Sequence, residues 1–189
     1  MSIQINYKEY PECMFAIIAA CLPSGEGDDL RRVAGKVFFR SEDENGSTYK
    51  NGLLHSYDDK AAFSSDHKQE WFKNGIFHRE GDLPAVIGIN YKMWFKNGYF
   101  HRENDEPAFI DVEGQQWYKN GILHRDNDKP AVISMSCQAW YKNGNLHREG
   151  DLPAYVSRNI QKWYRNGVLH REGGLPCVIY GDGSSQWWI

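Results

Sequence analysis

Trp71-Phe72-Lys73-Asn74-Gly75-Ile76-Phe77-His78-Arg79 reads as a β-hairpin. Asn-Gly between two runs that carry apolar residues is the strongest short hairpin signal. A type I′ turn needs positive φ at both central positions, and Asn and Gly reach that region at least cost. The turn also sets the pairing: Lys73 faces Ile76, Phe72 faces Phe77, and Trp71 faces His78. Facing residues share one side of the ribbon, and sides alternate along a strand. This reading puts Phe72 and Phe77 on one face and Trp71, Lys73, Ile76 and His78 on the other. Later copies keep the first face as Tyr118/Leu123, Tyr141/Leu146 and Tyr164/Leu169, and it is expected to be the continuous core.

Outward from this stretch the same string recurs. Trp71, Trp94, Trp117, Trp140 and Trp163 stand 23 residues apart, and each opens W-[FY]-[KR]-N-G. Each copy runs on to His-Arg, at His78-Arg79, His101-Arg102, His124-Arg125, His147-Arg148 and His170-Arg171. Pro-Ala follows at 84, 107, 130 and 153, and Pro176-Cys177 in the last copy. A worn copy precedes them, with Thr48 in the Trp slot, Asn51-Gly52 at the tip, His55 in register and Ser56 in the Arg slot. Repeats therefore start near 48, 71, 94, 117, 140 and 163, and a partial last strand at 186–189 carries Trp187-Trp188. Worn end copies suit an array in which a terminal unit has one neighbour.

Between Arg and Pro lies a polar turn such as Glu80-Gly81-Asp82 or Asp126-Asn127-Asp128. Proline then opens a short apolar strand (Val86-Ile87, Val132-Ile133), where no ladder donor is lost. The predicted fold is all-β: an elongated antiparallel array of hairpins over residues 48–189, a twisted meander in which each unit touches mainly its neighbours. Residues 1–47 form a small N-terminal cap or docking segment. Within it Met14–Cys21 reads as a short helix, Pro23–Asp28 as a loop, and Val37–Phe39 as a strand ended by Glu42–Gly46.

Composition narrows the functions. The net charge of −3 supplies no field for nucleic acid, and a membrane surface is an unfavoured partner. The longest apolar run, Met14–Leu22, is shorter than a membrane-spanning helix. Cys13, Cys21, Cys137 and Cys177 form no C-x-x-C pair and read as reduced thiols, which points to a cytoplasmic or intracellular setting.

The in-register rows carry the candidate chemistry. His78, His101, His124, His147 and His170, with His55, invite a metal. Equivalent residues lie about 9–10 Å apart, two strands on, which is too far for two rings to share one ion. The expectation is a structural ladder in which each His packs on its facing Trp71, Trp94, Trp117, Trp140 or Trp163. Arg79, Arg102, Arg125, Arg148 and Arg171 each precede an acid, and an Asp recurs three positions on except at Gly174. Turn capping and ion pairs are the plain reading; phosphate or carboxylate binding is the alternative. The aromatic rows similarly offer packing or a platform for carbohydrate or choline. No nucleophile elbow, zinc-protease motif or phosphate loop is present, so no cofactor, metal or catalytic residue is expected and the chain is read as non-enzymatic.

The strings W-Y-K-N-G-x-L-H-R and P-A-V-I resemble the MORN-type repeat, a hairpin unit of the same length. They are more similar to a W-Y-K-N-G-x-x-H-R…P-A-x-I variant common in giant DNA viruses and present in some phages and bacteria. The likeness covers residues 48–189. It implies a scaffold that binds other proteins or itself, and by the variant's distribution a virus-encoded, particle-associated (virion) component. Phospholipid head groups are a further ligand attached to the family. The expected function is thus an extended β surface for protein contact, with a phospholipid- or glycan-binding module as the alternative. Its exposed candidates are Lys73, Lys96, Lys119, Lys142 and Arg165 beside the tips, with the Arg row behind them.

Overall fold

The computed structural model describes residues 40–188. The expectations for Met14–Cys21, Pro23–Asp28, Val37–Phe39, Cys13 and Cys21 lie outside them. The described chain is all-β, a run of successive antiparallel hairpins.

One feature of the predicted meander is corrected. Each repeat divides at its Trp into two hairpins. Strand β1 (Arg40–Glu42) pairs with β2 (Thr48–Lys50), which pairs with β3 (Leu53–Leu54) across the first Asn-Gly tip. β4 (Phe63–Ser64) and β5 (Lys68–Glu70) form the next hairpin. At Trp71 the chain turns away into a tip hairpin, β6 (Phe72–Lys73) and β7 (Ile76–Phe77). It then returns through β8 (Val86–Gly88) and β9 (Tyr91–Met93). β5 pairs with β8 and β8 with β9. Continued through every copy, these pairings build a 12-stranded sheet from β4 at one edge to Ser185–Gln186 at the other. The tips stand apart from that sheet, the first within the three-stranded β1-β2-β3 unit and the five later ones as two-stranded ribbons.

The tips have the expected register, Phe72 facing Phe77 and Lys73 facing Ile76. Asn74 and Gly75 have φ of 52° and 77°, the two left-handed residues a type I′ turn demands. The polar turn is built in the same way, with Gly81 at 74° and Asp82 at 55°. Asn and Asp tolerate this region because their short polar side chains bond locally.

The core lies partly elsewhere than on the predicted face. Trp71, Trp94, Trp117, Trp140 and Trp163 are only 5–7% exposed, and the Ala of each Pro-Ala pair is fully covered. Cys177 takes the Ala slot in the last copy and clusters with Trp163 and Val178. Trp71 N–H donates to the Ala85 carbonyl at 2.8 Å, which holds the corner of the repeat against the sheet. The Phe72/Phe77 face forms a second layer. Rings of Phe72, Phe77, Phe95, Phe100 and Tyr118 follow one another with centroids 4.3–5.0 Å apart, and all but Phe72 are only half-buried. Strand alternation put Trp on the face opposite the core. It stops applying at Trp because the chain changes hairpin there.

β1 pairs beside the first tip hairpin and covers Glu42, where the sequence pattern ends a strand; Asp43 then closes the turn by accepting from the backbone N–H groups of Asn45 and Ser47.

Candidate binding surface

Each repeat is tied to the one before it by the same set of bonds. Arg79 shows the pattern. It forks onto the Asp59 carboxylate, Nε to Oδ1 and Nη2 to Oδ2, both at 2.8 Å. Its guanidinium lies 3.7 Å from the Trp71 ring centre, and Nη1 donates to the Pro84 carbonyl. Arg102, Arg125, Arg148 and Arg171 repeat the stacking, and the fork onto Asp82, Asp105, Asp128 and Asp151, each 20 residues earlier. Arg125, Arg148 and Arg171 also keep the Pro carbonyl, whereas Arg102 Nη1 stands 3.7 Å from Glu106. The indole N–H of Trp71 donates to the Asp59 carbonyl at 3.0 Å, so one turn residue holds both side chains of the next unit.

The Arg fork draws the carboxyl of Asp105 down to about 2, helped by Lys129. Asp59 and Asp151 are lowered for the same first reason, the bond from Arg79 or Arg171. Planar fork, ring stacking and a carbonyl acceptor together use most of what a guanidinium offers. The Arg side chains are only 12–16% exposed. The Arg row therefore works inside the array, and the Trp faces beneath it are covered.

The sequence placed the Asp partner three residues after each Arg; the true partner belongs to the previous repeat. A signal for this exists. Ser56 replaces Arg in the first copy, and the position 20 residues before it, where later copies carry Asp, is Lys36.

The histidines also join neighbouring units. The backbone N–H of Asn74 donates to Nδ1 of His55 at 3.1 Å, and Asn120, Asn143 and Asn166 do the same to His101, His124 and His147 at 3.1 Å, with Asn97 to His78 at 3.4 Å. Nε2 faces the acid two residues on. The contact is a hydrogen bond of 2.8 Å from His124 to Asp126 and from His147 to Glu149. At His78 and His101 the Glu80 and Glu103 oxygens stand 3.0 Å away but off the N–H axis, so these two contacts are ion-pair neighbours without an aligned bond. Among the described residues no three His, Cys, Asp or Glu side chains come together to hold a metal. His170, in the last copy, is exposed.

What faces outward is the other side of the tips. Lys73, Lys96, Lys119 and Lys142 sit there half-exposed, bonded to Glu80, Glu103, Asp126 and Glu149 at 2.8–3.4 Å, and Arg165 pairs with Glu172. Opposite these cations stand Ile76, Tyr99, Ile122 and Val168, with Leu53 at the first tip; each is 49–62% exposed. Asn145 interrupts the row. A recess runs between tip and polar turn at three of the repeats, about 390 Å³ beside Lys73 and Arg79, about 240 Å³ beside Lys96 and Arg102, and about 380 Å³ beside Arg165 and Arg171.

No protein family, no curated protein and no solved structure matches this chain. Among the described residues no helix is long and apolar enough to cross a membrane.

Proposed function

We propose that the chain is a non-enzymatic scaffold whose tip column presents an extended surface to other proteins. The observation that carries this is the outward row of Leu53, Ile76, Tyr99, Ile122 and Val168, about half-exposed or more, with ion-paired cations opposite Ile76, Tyr99, Ile122 and Val168. A folded protein leaves few large apolar side chains in register on one side, and such rows mark contact sites. Charges that pair within the chain add little long-range attraction, so recognition rests on fitted apolar and polar contacts. The likeness to MORN-type arrays, themselves scaffolds, supports the reading. A glycan platform on the Trp row is not favoured, because Arg and the sheet cover those rings.

The test has two stages. A photoreactive residue replaces Tyr99, and the crosslinked partner from the native source is identified. Capture is then measured for Ile76→Ala, Tyr99→Ala and Ile122→Ala alone and together. Each single change should weaken binding modestly and the triple change should abolish it, with little effect of moderate salt. Loss of all binding in one single variant, or in moderate salt, contradicts a distributed surface. Crosslinking to phospholipid in place of protein favours the head-group alternative.

A further inference from the structure

We propose that the histidine column is an acid-sensitive lock between repeats: the neutral imidazole holds the next Asn-Gly turn, and the imidazolium releases it. This goes beyond the scaffold reading and holds whatever the surface binds.

An imidazole nitrogen accepts a hydrogen bond only while it carries no proton. At the successive junctions from His55 to His147 the accepting atom is Nδ1, and the donor is always the backbone N–H of the Asn that opens the next tip turn. The single proton of the neutral ring therefore sits on Nε2. A second proton would enter at Nδ1 and set one N–H against another. No rotation of the Asn peptide relieves this, because Asn and Gly are both locked in the left-handed region by the turn.

The other side of the ring is built for the charged form. Glu80, Glu103, Asp126 and Glu149 stand 2.8–3.0 Å from Nε2 of His78, His101, His124 and His147. Glu103, drawn down to about 2 by Lys96 and His101, stays an anion across the whole imidazole range. On each ring's own tip Lys73, Lys96, Lys119 or Lys142 is bonded to the same acid that faces the ring. On the next tip Lys96, Lys119, Lys142 or Arg165 directly precedes the Asn whose N–H meets Nδ1. A charged ring thus keeps its carboxylate and loses only the neighbouring turn. At His55 the Asn74 side-chain oxygen stands 3.0 Å from Nδ1 and can accept its proton in the charged ring, so the lock is read at the four later junctions; burial first, then Lys50, lowers the His55 pKa. Its contribution is complete above the free imidazole value and is lost as pH falls through the lowered one.

The backbone bonds of the sheet involve no titrating group. What loosens is the tip column, in which the links that remain between successive ribbons are the Gly N–H to carbonyl bond, such as Gly121 to Phe100 at 2.8 Å, and the stacking of rings such as Phe77 on Phe95. Acid would therefore loosen the spacing of the outward row while the sheet stands.

The experiment is nitrogen-edited NMR on the full chain between about pH 7.5 and about pH 5, the range in which imidazoles titrate. Ring nitrogen shifts should show the Nε2–H tautomer at the upper end. Exchange protection at the amides of Asn97, Asn120, Asn143 and Asn166, corrected for intrinsic rates, should fall about tenfold as the adjacent ring is protonated. Amides of β8 and β9 should keep theirs. The variant H55N/H78N/H101N/H124N/H147N places an amide oxygen near the position of Nδ1 and cannot titrate, so its protection should not depend on pH in this range. If that variant does not fold, H124N alone is read at Asn143. An Nδ1–H tautomer, unchanged Asn protection after ring protonation, or an equal acid response in the His→Asn variant would each overturn the lock.

Discussion

At Gly121 φ is +82°, and a Cβ there would stand 3.0 Å from the Tyr99 ring of the previous tip. Gly121→Val asks a β-branched residue to adopt a left-handed conformation and to crowd that ring. Thermal unfolding should show a loss of about 1–3 kcal/mol; an unchanged melting temperature would contradict the type I′ assignment. The Arg forks make a second residue-scale prediction. Arg125→Lys keeps the charge but loses the planar two-point bond to Asp105 and the stacking on Trp117, and should cost about 1–2 kcal/mol in denaturant titration. Asp105, with a carboxyl near 2 when folded and near its ordinary value when unfolded, stabilises the array fully above about pH 4; that contribution disappears as pH falls towards 2. Asp105→Asn should therefore be less stable than the native chain at neutral pH, and the gap should close in acid at constant salt. The Asn-Gly tips were legible because one dipeptide dictates one backbone geometry. The Arg–Asp partnership was not. Nearness in the chain suggested Asp82 for Arg79, whereas the long Arg side chain lies across the junction and meets Asp59.

Hairpins are the elements, and the sequence located both turns of each. It did not show that Trp separates a tip ribbon from a sheet hairpin. Periodicity of two reads through a corner as though the strand were continuous, and only the unbroken 12-stranded sheet reveals which strands join. The consequence is two apolar layers, Trp with Ala inside and an aromatic stack along the tips. Phe100 sits between Phe95 and Tyr118 in that stack, at 4.3 and 4.9 Å. Phe100→Ala should lower stability by about 1.5–3 kcal/mol, since it removes a half-buried ring from two neighbours. Its effect should be confined to exchange at adjacent tips, while the amides of β5 and β8 stay protected. Uniform loss of protection would mean that the tips and sheet do not form separable layers.

Across the whole molecule every junction reuses one set of links: Arg to Asp, Asn N–H to His, indole N–H to carbonyl, Gly N–H to carbonyl, and strand to strand. Stability should then be a sum of unit and nearest-neighbour terms. The outward row inherits the same repetition, which is why the proposed surface is a distributed one. Composition and motif spacing name no partner for it, because its candidate side chains, such as Ile76 and Tyr99, carry no motif. Deleting Phe95 through Trp117 removes one repeat of 23 residues and brings Arg125 onto Asp82 and the Asn120 amide onto His78, the positions their equivalents occupy now. Deleting Phe95 through Glu106 instead puts every later rung out of phase. Circular dichroism and thermal melting of the two deletions test the array most directly. The in-phase chain should keep the native spectrum and a single, slightly lowered transition, whereas the out-of-phase chain should lose cooperative melting. Equal behaviour of the two would contradict a nearest-neighbour array.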